Sequence, residues 1–65
     1  MKNPQWKQNE AIAIQRAERL SRALEQMLFV IYNNEEEEYD IVNENDLYHL
    51  IEEFDLDCNI ITEVG

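Results

Sequence analysis

The imidazole of His49 and the thiol of Cys58 are the only side chains in this sequence with obvious nucleophile or metal-ligand chemistry. A structural zinc site takes four such ligands, so one histidine and one cysteine cannot complete one. A Cys-His nucleophile pair also needs an orienting group and oxyanion donors, and no third group or Gly-rich segment accompanies this pair. We therefore expect no catalytic residues, no cofactor and a non-enzymatic protein, with His49 exposed and Cys58 a small buried residue.

The segment Asp55-Leu56-Asp57-Cys58-Asn59 superficially resembles the start of a calcium-binding loop. Position six of such a loop would be Ile60 where glycine is required, and the bidentate acid at position twelve would lie beyond Gly65. The sequence therefore predicts no metal site.

Carboxylates are the most abundant charged groups in the chain, and most of them lie after residue 22. The chain has 15 acidic and 5 basic residues, with a formal net charge of −10. All five basic residues lie within the first 22 positions, whereas 13 acids and no Lys or Arg follow from Ala23 onward. This distribution disfavours direct binding to nucleic acid and favours a protein partner with a basic surface.

We expect the acidic surface to bind that partner, and the candidate contact residues are Glu35, Glu36, Glu37, Glu38, Asp40, Glu44, Asp46, Glu52 and Glu53. Such carboxylates could imitate the phosphates of nucleic acid in the basic groove of a nucleic-acid-processing protein, which the chain would inhibit or modulate. The simpler alternative is a solvated surface that only maintains solubility. The size and charge resemble the general style of compact inhibitors encoded by phages or mobile elements, without a matched motif.

Three arginines, Arg16, Arg19 and Arg22, form a row at a spacing of three residues. On a helix this spacing places them along one side. Three cations on so acidic a chain are a weak indication of nucleic-acid binding, and self-association through opposite charge is the better use.

An apolar stripe predicts a long first helix from about Pro4 to about Met27, with Asn3 as its N-cap. The stripe has two rows with a spacing of seven residues: Trp6, Ala13, Leu20 and Met27, then Ala17, Leu24 and Ile31. Its width favours packing on a sheet over a two-stranded coiled coil.

A helix of roughly 24 residues would be about 36 Å long, more than a small sheet can cover. Trp6 and Ala13 are therefore expected to be free for another chain. This expectation supports an alternative function, a structural or assembly subunit that associates through its first helix with a partner or as a homodimer.

The stretch from Leu28 to Val42 predicts a β-hairpin. Leu28 to Tyr32 would be apolar all round a helix, which favours a strand, although a helix continuing to Tyr32 is the alternative. Asn33-Asn34 is typical of a tight turn, and Glu37 to Val42 would form the second strand. The glutamates there suit an edge strand that must not pair with other chains.

A second helix is predicted to begin after Asn43 as N-cap, with Asp46 in a capping box and Val42 packed on Leu47. Its apolar face would consist of Leu47, Leu50, Ile51 and Phe54, and it should end near Asp55. The β-branched segment from Asn59 to Val64 then predicts a third strand.

These elements predict a single α+β domain over residues 1–65, a two-layer αββαβ arrangement with a three-stranded antiparallel sheet in the order 2-1-3. Both helices would cover one face, and a mainly α-helical fold is the alternative. The longest apolar run, Met27 to Tyr32, is six residues, so no membrane helix is expected. One cysteine and no signal peptide favour the cytoplasm.

Overall fold

Three strands form an antiparallel sheet at the centre of the fold: β1 (Leu28–Asn33), β2 (Glu38–Asn43) and β3 (Cys58–Val64). This computed structural model describes residues 5–65, so the predicted helix start at Asn3 and Pro4 lies outside the described residues. The strand order is β2-β1-β3. The α+β class, the β-hairpin and the order 2-1-3 are therefore confirmed, and the continuous-helix alternative for Leu28 to Tyr32 is wrong.

The first helix, α1 (Glu10–Leu24), is shorter than predicted. Asn9 interrupts the apolar stripe because its backbone is extended, and its side-chain oxygen accepts a hydrogen bond from the Ile12 N–H at 3.1 Å. The stretch before it forms a separate 3-10 helix, Gln5–Gln8, which contains Trp6. The prediction of one helix through Trp6 is therefore wrong, because the capping asparagine was treated as an interior position.

The second helix, α2 (Glu44–Glu52), begins as predicted, with the Asn43 side chain accepting a hydrogen bond from the Asp46 N–H at 2.7 Å. It ends three residues before the predicted Asp55. The Leu56 N–H donates to the Leu50 carbonyl at 3.0 Å, and Asp55 adopts a left-handed conformation with φ of 50°. These are the features of a Schellman-type helix end. Neither helix in residues 5–65 has the length and apolarity needed to cross a membrane.

The hairpin loop lies one residue later in the chain than the predicted strand bounds, Leu28 to Tyr32 and Glu37 to Val42, placed it. Asn33 remains in β1, and its side-chain oxygen accepts hydrogen bonds from the N–H groups of Glu35 and Glu36 at 2.9 and 3.0 Å. The loop therefore spans residues 34–37, and the residue with positive φ is Glu37, at 56°, instead of an asparagine. The side chain of Asn33 organises the loop in the way typical of an Asx turn.

The two helices lie on opposite faces of the sheet. Val30 and Ile31 are neighbours in β1, whose side chains project to opposite sides, and both are 0% exposed. Ala13 and Ala17 of α1 pack with Val30. Helix α2 contacts β1 and β2 but makes no contact with α1 within the described residues. The prediction that both helices cover one face is therefore wrong, because a continuous apolar run such as Leu28 to Ile31 is typical of a strand covered on both sides.

Candidate protein-binding site

Two acidic segments that are distant in sequence meet at one end of the sheet. They are the hairpin loop, residues 34–37, and the connection from α2 to β3, residues 53–57. Their carboxylates are all exposed, and we call this group the acidic end: Glu35, Glu36, Glu37, Glu53, Asp55 and Asp57. Asp55 and Asp57 were absent from the predicted contact residues because the sequence does not show that the two segments meet.

Three hydrogen bonds hold the two segments together. The Asn34 N–H donates to the Asp57 carbonyl at 2.9 Å, and the Asn34 side-chain amide donates to the Asp57 carboxylate at 3.0 Å. In return, the Asp57 N–H donates to the Glu35 carboxylate at 3.1 Å. The backbones of both segments are therefore fixed relative to one another, and the carboxylates share one surface.

A large apolar side chain lies exposed within the second of these acidic segments. Phe54 follows the last residues of α2 between Glu53 and Asp55, and 70% of its surface is accessible. The prediction that it completes the apolar face of α2 is wrong, because the helix ends at Glu52, before Phe54. Phe54 is therefore an exposed aromatic side chain flanked in the sequence by two carboxylates.

Two of the predicted contact residues are already bound within the fold. The Lys7 ammonium lies 2.8 Å from a Glu38 carboxylate oxygen and 3.1 Å from one of Asp40. The hydrogen bond to Glu38 raises the pKa of Lys7 above its ordinary value of 10.5, against the opposing effect of burial, and Asp40 adds in the same direction. The side chain of Glu38 is only 12% exposed. Glu38 and Asp40 therefore stabilise the edge strand β2 against the 3-10 helix, so part of their charge is compensated within the fold.

The other predicted acids are divided between the two ends of the sheet. Glu44 and Asp46 lie in the first turn of α2, which follows the end of β2 farthest from the hairpin loop. The structure therefore does not bring them to the acidic end. Glu52 is the exposed last residue of α2, and the Glu53 carboxylate accepts a hydrogen bond from Nδ1 of the half-exposed His49 ring at 2.9 Å.

A basic groove of about 380 Å³ runs along α1. Its apolar lining comes from Trp6, Ile12 and Leu20, and Arg16 and Arg19 flank it. The Arg16 guanidinium lies 5.2 Å from the centre of the Trp6 ring, a cation–π distance. We call this the α1 groove.

The predicted contact residue Ala13 does not reach that groove. It is 0% exposed and packs with Ala17 and Val30 in the core, so the expectation that it is free for another chain is wrong. Trp6 is half-buried and packs against the same core while lining the groove. Trp6 folds back onto α1 from the 3-10 helix, which is why it does not extend the helical stripe.

The remaining reactive groups do not form a cluster. Burial raises the pKa of the Cys58 thiol, with a smaller effect from Asp57, so the reactive thiolate is less populated than in an ordinary cysteine. Cys58 is half-buried, and His49 lies on α2. Among residues 5–65, no group of three or more His, Cys, Asp or Glu side chains is placed to hold a metal ion.

Comparison of the chain with protein-family models, with curated proteins and with solved structures finds no match.

Proposed function

We propose that this protein is a non-enzymatic binding module that uses its acidic end, with Phe54 as the anchor, to bind and modulate a basic partner protein. The observation that carries the proposal is the set of hydrogen bonds between Asn34, Glu35 and Asp57. They hold together two acidic segments, the second of which carries the exposed aromatic side chain of Phe54. Pre-ordering of this kind lowers the entropy cost of binding.

The charge distribution supports a basic partner. Among the described residues, Lys7 is the one Lys or Arg within 4 Å of a carboxylate, and its partners are Glu38 and Asp40. The carboxylates of the acidic end therefore have no Lys or Arg partner within residues 5–65. A cationic surface with an apolar pocket for Phe54 would complement this end, and its charge would steer the encounter.

A nucleic-acid-processing protein in the cytoplasm is the class of partner that we propose. Proteins that hold phosphates have the cationic surfaces that carboxylates can occupy. The cytoplasmic setting is supported by the single half-buried cysteine, which suits a reducing environment. If this class is correct, duplex DNA or RNA should compete with the protein for its partner.

Affinity capture from extract, followed by reconstitution with the purified captured protein, tests the proposal. We expect Glu36→Gln/Glu37→Gln to weaken binding about threefold to tenfold, because it removes charge from the acidic end. The matched control Glu18→Gln/Glu25→Gln removes the same charge from the region of α1 and should bind as the wild type does. Equal weakening by both pairs would show that only net charge matters and would contradict the proposal.

Phe54 provides a second, salt-independent test. Phe54→Ala should weaken binding about thirtyfold, the loss typical of truncating an aromatic anchor. Tyr48→Ala is the control, because Tyr48 is another exposed aromatic residue of the α2 region, 61% accessible, and lies outside the acidic end. Unchanged binding by Phe54→Ala would contradict its role as the anchor.

A second candidate function, a structural or assembly subunit, is favoured by the α1 groove. The groove combines apolar and cationic side chains on α1. This is the helix whose apolar stripe predicted association with a partner or a second copy. Binding through it should survive about 1 M salt, where the Debye length is about 3 Å, and should be lost on Leu20→Asp. Loss of binding in high salt would instead support the acidic end.

A further inference from the structure

The chain carries both halves of a complementary contact, and we propose that the α1 groove binds the acidic end of a second copy of this chain, so that copies associate head to tail. In this arrangement Phe54 of one copy enters the groove between Trp6 and Arg19 of the next. The inference rests on the proposed role of the acidic end as a binding surface and adds the identity of one partner.

The chemistry of the groove defines what it can hold. Its apolar lining of Trp6, Ile12 and Leu20 suits an aromatic or aliphatic side chain, whereas Arg16 and Arg19 suit flanking carboxylates. Within the described residues neither arginine lies within 4 Å of a carboxylate. The groove volume of about 380 Å³ falls in the range of binding pockets. The expected occupant is therefore an exposed apolar side chain with acids on both sides.

The acidic end has that composition. Phe54 is 70% exposed and follows Glu52 and Glu53 and precedes Asp55 in the sequence. No Lys or Arg occurs from Ala23 onward, so a second copy offers no cation there to repel Arg16 and Arg19. The match of an apolar group with carboxylates to an apolar lining with arginines favours the second copy as the occupant.

The α1 groove lies on α1, whereas the acidic end includes the segment that follows α2, and the two helices are on opposite faces of the sheet. A contact between two different surfaces is heterologous, and each added copy presents a new groove and a new acidic end. The association should therefore continue beyond a dimer as concentration rises. The net charge of −10 per copy opposes it, so the association should be weak.

Sedimentation of two complementary variants tests the arrangement. Gln15→Glu/Arg19→Glu places two carboxylates in the groove lining and leaves the cation–π contact of Arg16 with Trp6 in place. Phe54→Asp removes the aromatic side chain from the acidic end. We expect the wild-type mass to rise without a plateau at the dimer between about 10 μM and about 1 mM, the range in which small interfaces dissociate. Each variant alone should stay at the monomer mass of 7.8 kDa. An equimolar mixture should reach twice that mass and stop, because it retains one intact contact.

A matched control and a local reporter complete the test. Arg22→Glu/Ala23→Glu changes the net charge by the same amount outside the groove lining and should associate as the wild type does. Trp6 is the single tryptophan, so its emission should shift in the mixture and not in either variant alone. The substituted side chains are exposed, so each variant should remain folded. Circular dichroism and the urea midpoint of each variant check this.

Three results would overturn the inference: a wild type that remains monomeric throughout, a mixture that remains monomeric, or either variant associating alone. A monomeric wild type whose Trp6 emission responds to polyglutamate would instead assign the groove to a foreign acidic chain. If the wild type is monomeric but still binds its captured partner in a Phe54-dependent way, self-association fails while the proposed function stands.

Discussion

Lys7 shows how a single residue changes the interpretation of an acidic surface. It binds Glu38 and Asp40 across the edge of the sheet, and its ammonium also lies 5.4 Å from the centre of the Trp6 ring. Of the predicted contact acids, these two thereby acquire a structural role as well. The exposed residues Asp55 and Asp57, which we add to the proposed binding surface, lie in the segment that superficially resembles a calcium loop.

The Lys7 ion pairs predict that stability falls at alkaline pH. The pKa of Lys7 is raised in the folded chain, so the folded state holds this proton more tightly than the unfolded state. Its stabilisation is complete below the ordinary pKa of 10.5 and is lost as pH rises through the higher folded pKa. The raised pKa of Tyr39, caused by desolvation and then by the charge of Glu10, acts in the same direction above its ordinary value of 10.0.

Urea unfolding between pH 8 and about pH 11.5 checks this prediction. At pH 8, Lys7→Met should lower the free energy of unfolding by about 1 kcal/mol, because it leaves Glu38 partly buried without its cation. It should also show a smaller alkaline decline than the wild type. Lys7→Arg keeps a charge over this range and should likewise decline less. An identical alkaline decline in all three proteins would contradict a role for Lys7.

At the scale of the elements, three non-glycine positions among residues 5–65 have left-handed conformations, and all three are acidic: Glu25 after α1, Glu37 in the hairpin loop and Asp55 after α2. Glycine is the usual residue at such positions, because a side chain strains the left-handed region. This strain destabilises the folded state at each of the three positions, and two of them, Glu37 and Asp55, belong to the acidic end.

Glu25→Gly should therefore stabilise the protein. Glu25 has φ of 53° at the end of α1, so glycine would relieve strain and raise the free energy of unfolding by about 0.5 kcal/mol. The same change inside the helix, Glu18→Gly, should lower it by about 1 kcal/mol, because glycine is a poor helix former. Urea denaturation of both variants measures the difference. Destabilisation by Glu25→Gly would show that the Glu25 side chain makes a contact that outweighs the strain.

The acidic residues with positive φ also explain which ends of helices and strands could be predicted from the sequence. The strands, the hairpin and the start of α2 were predictable because Asn43 and the β-branched runs are typical of those structures. The end of α2 was not, since no glycine marks Asp55 as a stop. That error of three residues assigned Phe54 to the core and concealed its exposure beside the acidic residues Glu53 and Asp55. The meeting of Asn34 with Asp57 depends on tertiary packing and has no local pattern in the sequence.

At the scale of the whole molecule, charge is separated between two regions. The described Lys and Arg residues all lie in the 3-10 helix and α1, whereas six exposed carboxylates gather at the acidic end. Gathering like charges destabilises the folded chain through self-repulsion. Function can require such a loss of stability, and binding is the function that we propose for the acidic end.

Removing charge from the acidic end should therefore increase stability while it weakens binding. Glu36→Gln/Glu37→Gln should raise the Tm by about 2 to 4 °C at low ionic strength, and added salt should reduce this gain. Glu18→Gln/Glu25→Gln should give no such increase, because Glu18 lies near Arg22 on the surface of α1. Differential scanning calorimetry at two salt concentrations makes the comparison. An unchanged Tm for the first pair would show that repulsion there is negligible.

Hydrogen exchange of the protein alone and in complex with its captured partner tests the central claim most directly, that the acidic end is the binding surface. We predict slower exchange on binding for the backbone N–H groups of residues 34–37 and 53–57. The outer surface of α1 and the first turn of α2, with Glu44 and Asp46, should exchange at unchanged rates. Protection confined to α1 or to the first turn of α2, with unchanged exchange at the acidic end, would contradict the account.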